Sequence, residues 1–197
     1  MLQWRVREIS LTDLKQTAEQ YVAANERAPD VLNRTALRLV ETSEPELLAM
    51  AEAFAVESLT GRDGFIDLVT CCTVFLANDK WLRVLEFLPR IFEAIPDNSE
   101  AIGIAIDFAV QVASAGYANE VLETLVSSST RSALEPLEVG LKYFLGKPPS
   151  APKEISEVGQ DIANKIRSIA SARRGLHAAN EGGGQEVTSN VDSIGPD

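Results

Sequence analysis

Residues 65–96 read FIDLVTCCTVFLANDKWLRVLEFLPRIFEAIP, and this stretch decides the fold class. No charged residue stands between Asp67 and Asp79, and apolar or small residues cover every side of the implied helix. A helix of that kind is typical of a protein core. Asn78 and Asp79 then break the pattern, and a second apolar stripe at helical spacing follows. The stretch predicts a helical hairpin whose first helix is buried on all sides.

Length and composition indicate a soluble globular protein. The chain has 197 residues, of which 45% are hydrophobic and 24% charged, with a net charge of -11. Acidity of that size disfavours nucleic acid and anionic membranes as partners, because phosphate binding needs clustered Lys and Arg. The longest weakly charged window, residues 101–118, is shorter than the roughly 20 apolar residues of a membrane span. No apolar run of signal-peptide length opens the sequence, so we expect a cytoplasmic protein.

Further helices are predicted on both sides of the hairpin, and residues 1–10 fit a strand or a helix equally well. Pro89 predicts either a kink or two shorter helices in place of one. Gly61, Gly116 and Gly146 are placed to end helices. The predicted helix starts are Ser10 or Thr12, Asp30, Ser43 with Glu46 as a capping box, and Asp97 or Ser99.

The chain divides at a proline-rich segment. We predict a helical-hairpin domain over residues 1–146, an extended linker over 147–153, an amphipathic helix over 154–174 and a disordered tail over 175–197. The helix carries an apolar seam that either joins two copies of the chain into a homo-oligomer or packs back as a cap on the domain. The seam residues, at spacings of three and four, are Ile155, Val158, Ile162, Ile166 and Ile169.

Breaks recur roughly every 15 to 20 residues, which calls for a test of internal repeats. If Pro96 closes a unit over residues 65–98, the apolar residues fall on the packing positions of two helices, and a second unit follows over 99–132. These packing residues are Leu68, Cys71, Cys72 and Phe75, then Val84, Leu88 and Ile91, then Ile102, Ala105, Ile106 and Ala109. In period and residue size this pattern resembles the tetratricopeptide repeat family, over residues 65–130 and more loosely over 31–64.

The resemblance implies an all-α, right-handed stack of antiparallel helical hairpins, a tetratricopeptide-like α-solenoid. It also implies a concave groove built from the first helix of each unit, where a segment of a protein partner binds. Acidic residues beside an apolar trough favour a basic, amphipathic segment. The alternative is that Ile66, Val69 and Leu76 are covered by other helices. The groove residues are Ile66, Val69, Thr73 and Leu76 in one unit and Glu100, Gly103, Asp107 and Gln111 in the next.

Chemistry-bearing motifs are sparse, so we expect no enzyme, no cofactor and no metal. His177 is the single histidine, and no glycine-rich phosphate loop is present. The adjacent Cys71 and Cys72 suit neither a disulfide nor a zinc site and are expected in the core. Carboxylate-only catalysis by Asp107 with Glu100 or Glu138 is the remaining enzymatic hypothesis. An adaptor, scaffold or chaperone is favoured, of the kind that serves bacterial secretion or assembly machinery in the family it resembles.

Overall fold

The structure, a computed structural model, describes residues 10–60, 62 and 64–182, with side chains up to residue 176. No β-strand occurs in those ranges, which confirms the predicted all-α class. The predictions for residues 1–9, Gly61 and 183–197 lie outside the described residues. The helices are α1 (Leu11–Ala24), α2 (Pro29–Val40), α3 (Pro45–Ser58), α4 (Phe65–Ala77), α5 (Trp81–Ala94), α6 (Ser99–Val112), α7 (Ala118–Val126), α8 (Glu135–Phe144) and α9 (Lys153–Gly182).

Most helices pack on helices one or two places away in the chain. α2 contacts α3 and α4, α4 contacts α5, and α5 contacts α6 and α7. The exception is α9, which contacts α8 and also returns to α6 and to a π-type turn at Ala113–Tyr117. Contacts between near neighbours in sequence are a property of helical repeats. The packing is therefore compatible with a helical repeat.

α4 lies in the core, as its lack of charge predicts. Leu68, Cys71, Cys72 and Phe75 are fully buried. The prediction that the helix is buried on all sides is wrong at its first turn, where Ile66 is 75% exposed. α3 and α5 pack on α4, whereas the described part of the chain leaves position 66 exposed. An apolar side chain is thus presented to solvent beside the core.

Two helices begin with a side-chain cap. Ser10 caps α1, because its hydroxyl accepts a hydrogen bond from a main-chain N–H of the first turn at 3.1 Å, and this choice is among the predicted ones. α6 is capped by Asn98, whose carboxamide oxygen accepts from the first turn at 2.8 Å. The predicted caps, Asp97 or Ser99, are each one residue away. Asn and Asp are equally good caps, so composition alone does not choose among neighbours.

The predicted starts of α2 and α3 are wrong for one shared reason. Each helix begins at a proline, Pro29 in α2 and Pro45 in α3. A proline with its fixed φ suits the first helical position, so the residue before it becomes the cap. Asp30 and Glu46 therefore lie inside the first turn. Ser43 stands outside the helix with φ of 57° and forms no capping box.

The stretch with an internal proline forms one helix. α5 runs through Pro89 without a break, and Leu88, Ile91 and Phe92 around it are fully buried. Loss of one backbone hydrogen bond at a proline costs about 3 kcal/mol in a regular helix. Burial of three large side chains offsets a cost of that size. Of the two alternatives, the structure therefore has the single helix and not two shorter ones.

Among the described residues, one stretch, 99–126, has the length and apolarity of a membrane span. Half of its most apolar window is buried in the protein. Gly116, with φ of 109°, interrupts it and separates α6 from α7. A left-handed backbone of this kind favours glycine. The arrangement is compatible with a soluble protein, in which this stretch belongs to the core.

The C-terminal helix is longer than its apolar pattern predicts. α9 begins at Lys153 and ends at Gly182, so residues 175–182 are helical and their predicted disorder is wrong. The sequence of this extension, GLHAANEG, contains Leu, two Ala and Glu, and these strong helix formers compensate for its weak ones. Residues 147–152 before the helix form neither helix nor strand.

α9 packs back onto α8 at a close crossing of two glycines. A Cβ placed on Gly140 would lie 3.0 Å from the carbonyl oxygen of Gly159, which shows how near the two backbones are. Along the same face Ile162, Ala163 and Ile166 are buried. The middle of the predicted seam is therefore used within the chain, which favours the alternative in which this helix covers one end of the domain.

Candidate functional site

A groove of about 750 Å³ opens between α2 and the first turns of α4. We name it the α2–α4 groove. Its apolar lining is formed by Leu37, Phe65, Ile66 and Pro96. Its polar lining is formed by Asp30, Asn33, Arg34, Arg62, Asp67 and Thr70, with Gly64 between the two helices.

The apolar lining of the groove is open to solvent. Ile66 is 75% exposed and Leu37 is 37% exposed. Fully burying one such side chain stabilises a complex by roughly 1.5–3 kcal/mol. Single exposed apolar residues are normal on a protein surface, but two that line one concavity provide a place for an apolar anchor.

The base of the groove is a buried hydrogen-bond network that joins three helices. The Asn33 amide of α2 donates to the Asp67 carboxylate of α4 at 2.5 Å. The Ser58 hydroxyl of α3 donates to the Asn33 carboxamide oxygen at 2.7 Å. Asp67 also lies in the first turn of α4, where the helix dipole favours a negative charge. Because all three side chains are buried, the network fixes the distance between the two walls of the groove.

Charges on the rim have mixed signs. The guanidinium of Arg62 pairs with the Asp30 carboxylate at 3.1 Å. The Nε of Arg34 donates to the Asp30 carbonyl oxygen at 3.2 Å. The exposed rim is therefore not acidic, and the charge that the sequence predicts for the groove is absent from this part of the surface.

The four predicted groove residues of α4 separate into two groups. Ile66 lines the α2–α4 groove, whereas Val69, Thr73 and Leu76 are half-buried and do not line it. Val69 and Leu76 pack against the core. Two of the three apolar positions are therefore half-buried, and Ile66 is exposed.

The four predicted groove residues of α6 lie elsewhere, and α9 contacts two of them. Glu100 and Gly103 are exposed. The Asp107 carboxylate accepts a hydrogen bond from the Lys165 ammonium at 2.7 Å. The side chain of Gln111 accepts one from the Arg173 guanidinium, also at 2.7 Å. None of these α6 residues lines the α2–α4 groove, so Ile66 is the one of the eight predicted residues that does.

Sequence reasoning missed the α2 wall of the groove. Leu37 falls outside the apolar stripe of α2, and Asn33 is a polar residue that proves buried. The available signal was the isolated Leu37 on an otherwise polar helical face.

Trp81 and Arg173 were also missed; the Arg173 guanidinium carbon lies 4.0 Å from the centre of the Trp81 ring.

The side chains with potential reactivity are arranged for packing. Burial raises the pKa of the Cys71 thiol to about 12 and also raises that of Cys72. The Cys71 thiol donates to the Ala55 carbonyl oxygen at 3.0 Å. A thiol whose pKa is raised carries little of the reactive thiolate. No cluster of metal-binding side chains occurs among the described residues.

Of the three carboxylates considered for catalysis, Glu138 and Asp107 have structural partners, and Glu100 is exposed. Glu138 is buried and receives two hydrogen bonds from Arg131, at 2.6 and 2.7 Å, and one from Lys142 at 2.6 Å. The Arg131 guanidinium, more than the Lys142 ammonium, holds the pKa of Glu138 down at about 2. A carboxylate that is ionised and paired in this way is a poor general base. Asp107 is occupied by Lys165.

Comparison with protein-family models, curated proteins and solved structures finds no match to this chain.

Proposed function

We propose that the chain is a non-enzymatic protein-interaction module of the helical-repeat type, and that the α2–α4 groove binds a segment of its partner. One observation carries the proposal. Ile66 is 75% exposed at the edge of a concavity whose floor is held by a buried three-helix network. A rigid, open, apolar concavity suits an amphipathic helix that inserts one side chain.

The groove favours a protein segment over a small molecule. Small-molecule sites enclose most of the ligand surface and carry a few converging polar groups. Here the polar groups of the floor, Asn33 and Asp67, bond to each other. The apolar side chains that the groove exposes to a partner are Leu37 and Ile66, and the exposed rim carries polar and charged residues. An apolar anchor flanked by polar residues matches that set.

The charge of the partner is not set by this groove. The exposed rim carries Asp30, Arg34 and Arg62, so it does not select a basic segment. The acidic stripe expected from the sequence lies on α6, where Asp107 is paired with Lys165. For the α2–α4 groove we therefore propose recognition by apolar contact, with charge in a secondary role.

Self-association through the α9 seam is a second candidate, and the observed packing gives it less support. Ile162 and Ile166 are buried within the chain, Ile155 and Ile169 are half-buried, and Val158 is 48% exposed. A homo-oligomer joined by this seam would require α9 to leave α8.

Two buried free thiols fit a reducing compartment, and we propose a cytoplasmic location.

Photo-crosslinking from single positions tests the groove. A photoreactive phenylalanine derivative at position 66 is expected to crosslink a defined partner in cells that express the full chain. The same derivative at position 82 is the matched control, because Leu82 is 55% exposed on α5 and lies outside the groove. Adding Leu37→Asp should abolish the adduct from position 66, since a charge in an apolar contact is costly.

The outcome against the proposal is equally defined. If positions 66 and 82 give the same adducts, or if Leu37→Asp leaves the adduct from position 66 unchanged, the groove is not the binding surface. Thermal denaturation of each variant serves as the folding control. Ile66 and Leu37 are exposed enough that their substitution is expected to change stability little.

A further inference from the structure

The side chain of Arg173 is held by three hydrogen bonds and one aromatic contact from the body of the protein. Its Nη1 donates to the Gln111 carbonyl oxygen at 3.0 Å and to the Ser114 hydroxyl at 2.7 Å. Its Nη2 donates to the Gln111 side-chain oxygen at 2.7 Å. The guanidinium carbon lies 4.0 Å from the centre of the Trp81 ring. We name Trp81, Gln111 and Ser114 the arginine site.

The geometry of this site matches a guanidinium group. Its hydrogen-bond acceptors are neutral oxygens, and an aromatic ring covers the guanidinium. A planar fork with several donors can satisfy all of these contacts at once, whereas a lysine ammonium is a compact point charge. Burial lowers the pKa of Arg173, and the charge of Asp79 opposes that effect. An arginine nevertheless stays protonated in proteins.

The local backbone is shaped around the site. Ser114 lies in the π-type turn between α6 and α7, and Gly116 in the same turn has φ of 109°. The Ser114 hydroxyl also donates to the Gln111 carbonyl oxygen at 2.7 Å. This bond orients the serine oxygen that accepts from the arginine.

The two ends of α9 are held differently. Its first half crosses α8 at Gly159 and buries Ile162 and Ile166. Beyond Ile169, Arg173 provides all the side-chain hydrogen bonds described, and Arg174 and Leu176 are exposed. Among the described side chains, Arg173 is therefore the polar attachment of this end of α9.

We propose that the arginine site is a binding site for an arginine of a partner protein and that Arg173 fills it as an internal ligand. The partner segment that fits this site carries an arginine among other basic residues and has no acidic residue close to that arginine in sequence. Residues 165–174 of this chain, with four basic residues and no acidic one, have that composition. The site lies apart from the α2–α4 groove, since none of its residues lines that groove. An experiment that disproves binding at the arginine site therefore does not affect the proposal for the α2–α4 groove.

A labelled peptide tests the site directly. The probe is a rhodamine-labelled peptide of residues 168–176, SIASARRGL, and the readout is fluorescence anisotropy with the full-length chain. We expect saturable binding to the Arg173→Ala chain, at least about tenfold tighter than to the unsubstituted chain, because the internal arginine competes at high effective concentration. The matched control is Arg174→Ala, which removes the same charge from the exposed neighbour and should behave like the unsubstituted chain.

Two further measurements make the result decisive. A peptide with citrulline in place of Arg173 keeps the shape and loses the charge, and it should not bind. Trp81→Leu in the Arg173→Ala chain should also abolish binding. Equal binding to the Arg173→Ala and unsubstituted chains would overturn the proposal, as would equal binding of the citrulline peptide. If Arg173→Ala proves unfolded by circular dichroism, Arg173→Lys is used in its place, with the same two criteria.

Discussion

Gly159→Ala is a sharp test of how α9 is attached. A Cβ at this position would lie 2.4 Å from Cγ1 of Val139 and 3.2 Å from the backbone nitrogen of Gly140. Carbon atoms in normal contact are about 3.5–4.0 Å apart. Because a backbone atom of α8 is among those in the way, a change of the Val139 side chain alone does not make room. The two helices must separate.

The expected magnitude follows from two opposing effects. Inserting a methyl group into a closely packed contact costs about 1–3 kcal/mol. Alanine in place of glycine inside a helix stabilises the helix by up to about 1 kcal/mol. Separation of the helices also weakens the packing of Ile162 and Ile166, which puts the steric cost in the upper part of its range. We expect a net loss of about 1–2 kcal/mol in the free energy of unfolding.

Urea denaturation followed by circular dichroism at 222 nm measures this loss. The matched control is Gly103→Ala in α6, where an added Cβ would have no atom within 4 Å. This variant should gain up to about 1 kcal/mol from helix propensity. If Gly159→Ala is as stable as the original protein, the close crossing does not exist in solution.

A double-mutant cycle separates the steric contact from other effects. Val139→Ala removes the Cγ1 atom that the new methyl group would meet, at the cost of a smaller buried side chain. With Gly159→Ala in the same chain, the total loss should be smaller than the sum of the two single losses by about 1 kcal/mol or more. Strict additivity would refute the contact between positions 139 and 159.

Three further predictions concern the buried polar groups and thiols. Asn33→Ala should cost about 1–3 kcal/mol, because it removes the hydrogen-bond donor to the buried Asp67 carboxylate; the same urea titration measures it, and an unchanged midpoint contradicts it. Because the pKa of Glu138 is lowered in the folded protein, its ionised form stabilises the fold above the ordinary pKa of 4.5, and this stability is lost as the pH falls towards about 2. Thermal melts between pH 6 and pH 3 should therefore show a smaller fall in melting temperature for Glu138→Gln than for the original chain. Cys71 and Cys72 should react with a thiol reagent at pH 8 only as fast as the protein opens, since burial raises both pKa values; rapid labelling of the native protein would show that this part of the core is open.

The core was predictable because its signal is local. A stretch without charge between Asp67 and Asp79 has few alternatives to burial, and Leu68, Cys72 and Phe75 are indeed fully buried. Ile66 has the same apolar character as these residues. Its exposure depends on where neighbouring helices end, which no spacing within α4 encodes.

The groove was only partly predictable because its walls come from distant parts of the sequence. The α4 wall was recognised through Ile66, but the α2 wall, with Leu37, lies about 30 residues earlier. The buried floor is harder still to foresee. Asn33 and Asp67 look like ordinary surface residues until the helices are packed, and then each satisfies the other.

The roles of the glycines in helix packing were the hardest feature to predict from the sequence. Gly140 weakens a helix by propensity, and the sequence offers no reason for its presence. The structure supplies the reason, because α9 approaches α8 so closely that a Cβ at residue 140 would meet Ile162 at 2.6 Å. Pairing of Gly140 with Gly159 is a long-range relation, and it is visible only in the packed helices.

The acidic stripe on α6 and the basic end of α9 change how a partner must be recognised. The sequence predicts that Asp107 and Gln111 face a basic segment, and the structure places Lys165 and Arg173 of the same chain against them. Tethered groups act at millimolar effective concentration. A basic partner at this surface therefore competes with α9 and binds weakly unless it supplies further contacts of its own. The α2–α4 groove has no such internal competitor among the described side chains, so the two surfaces should differ in availability even where their intrinsic affinities are equal.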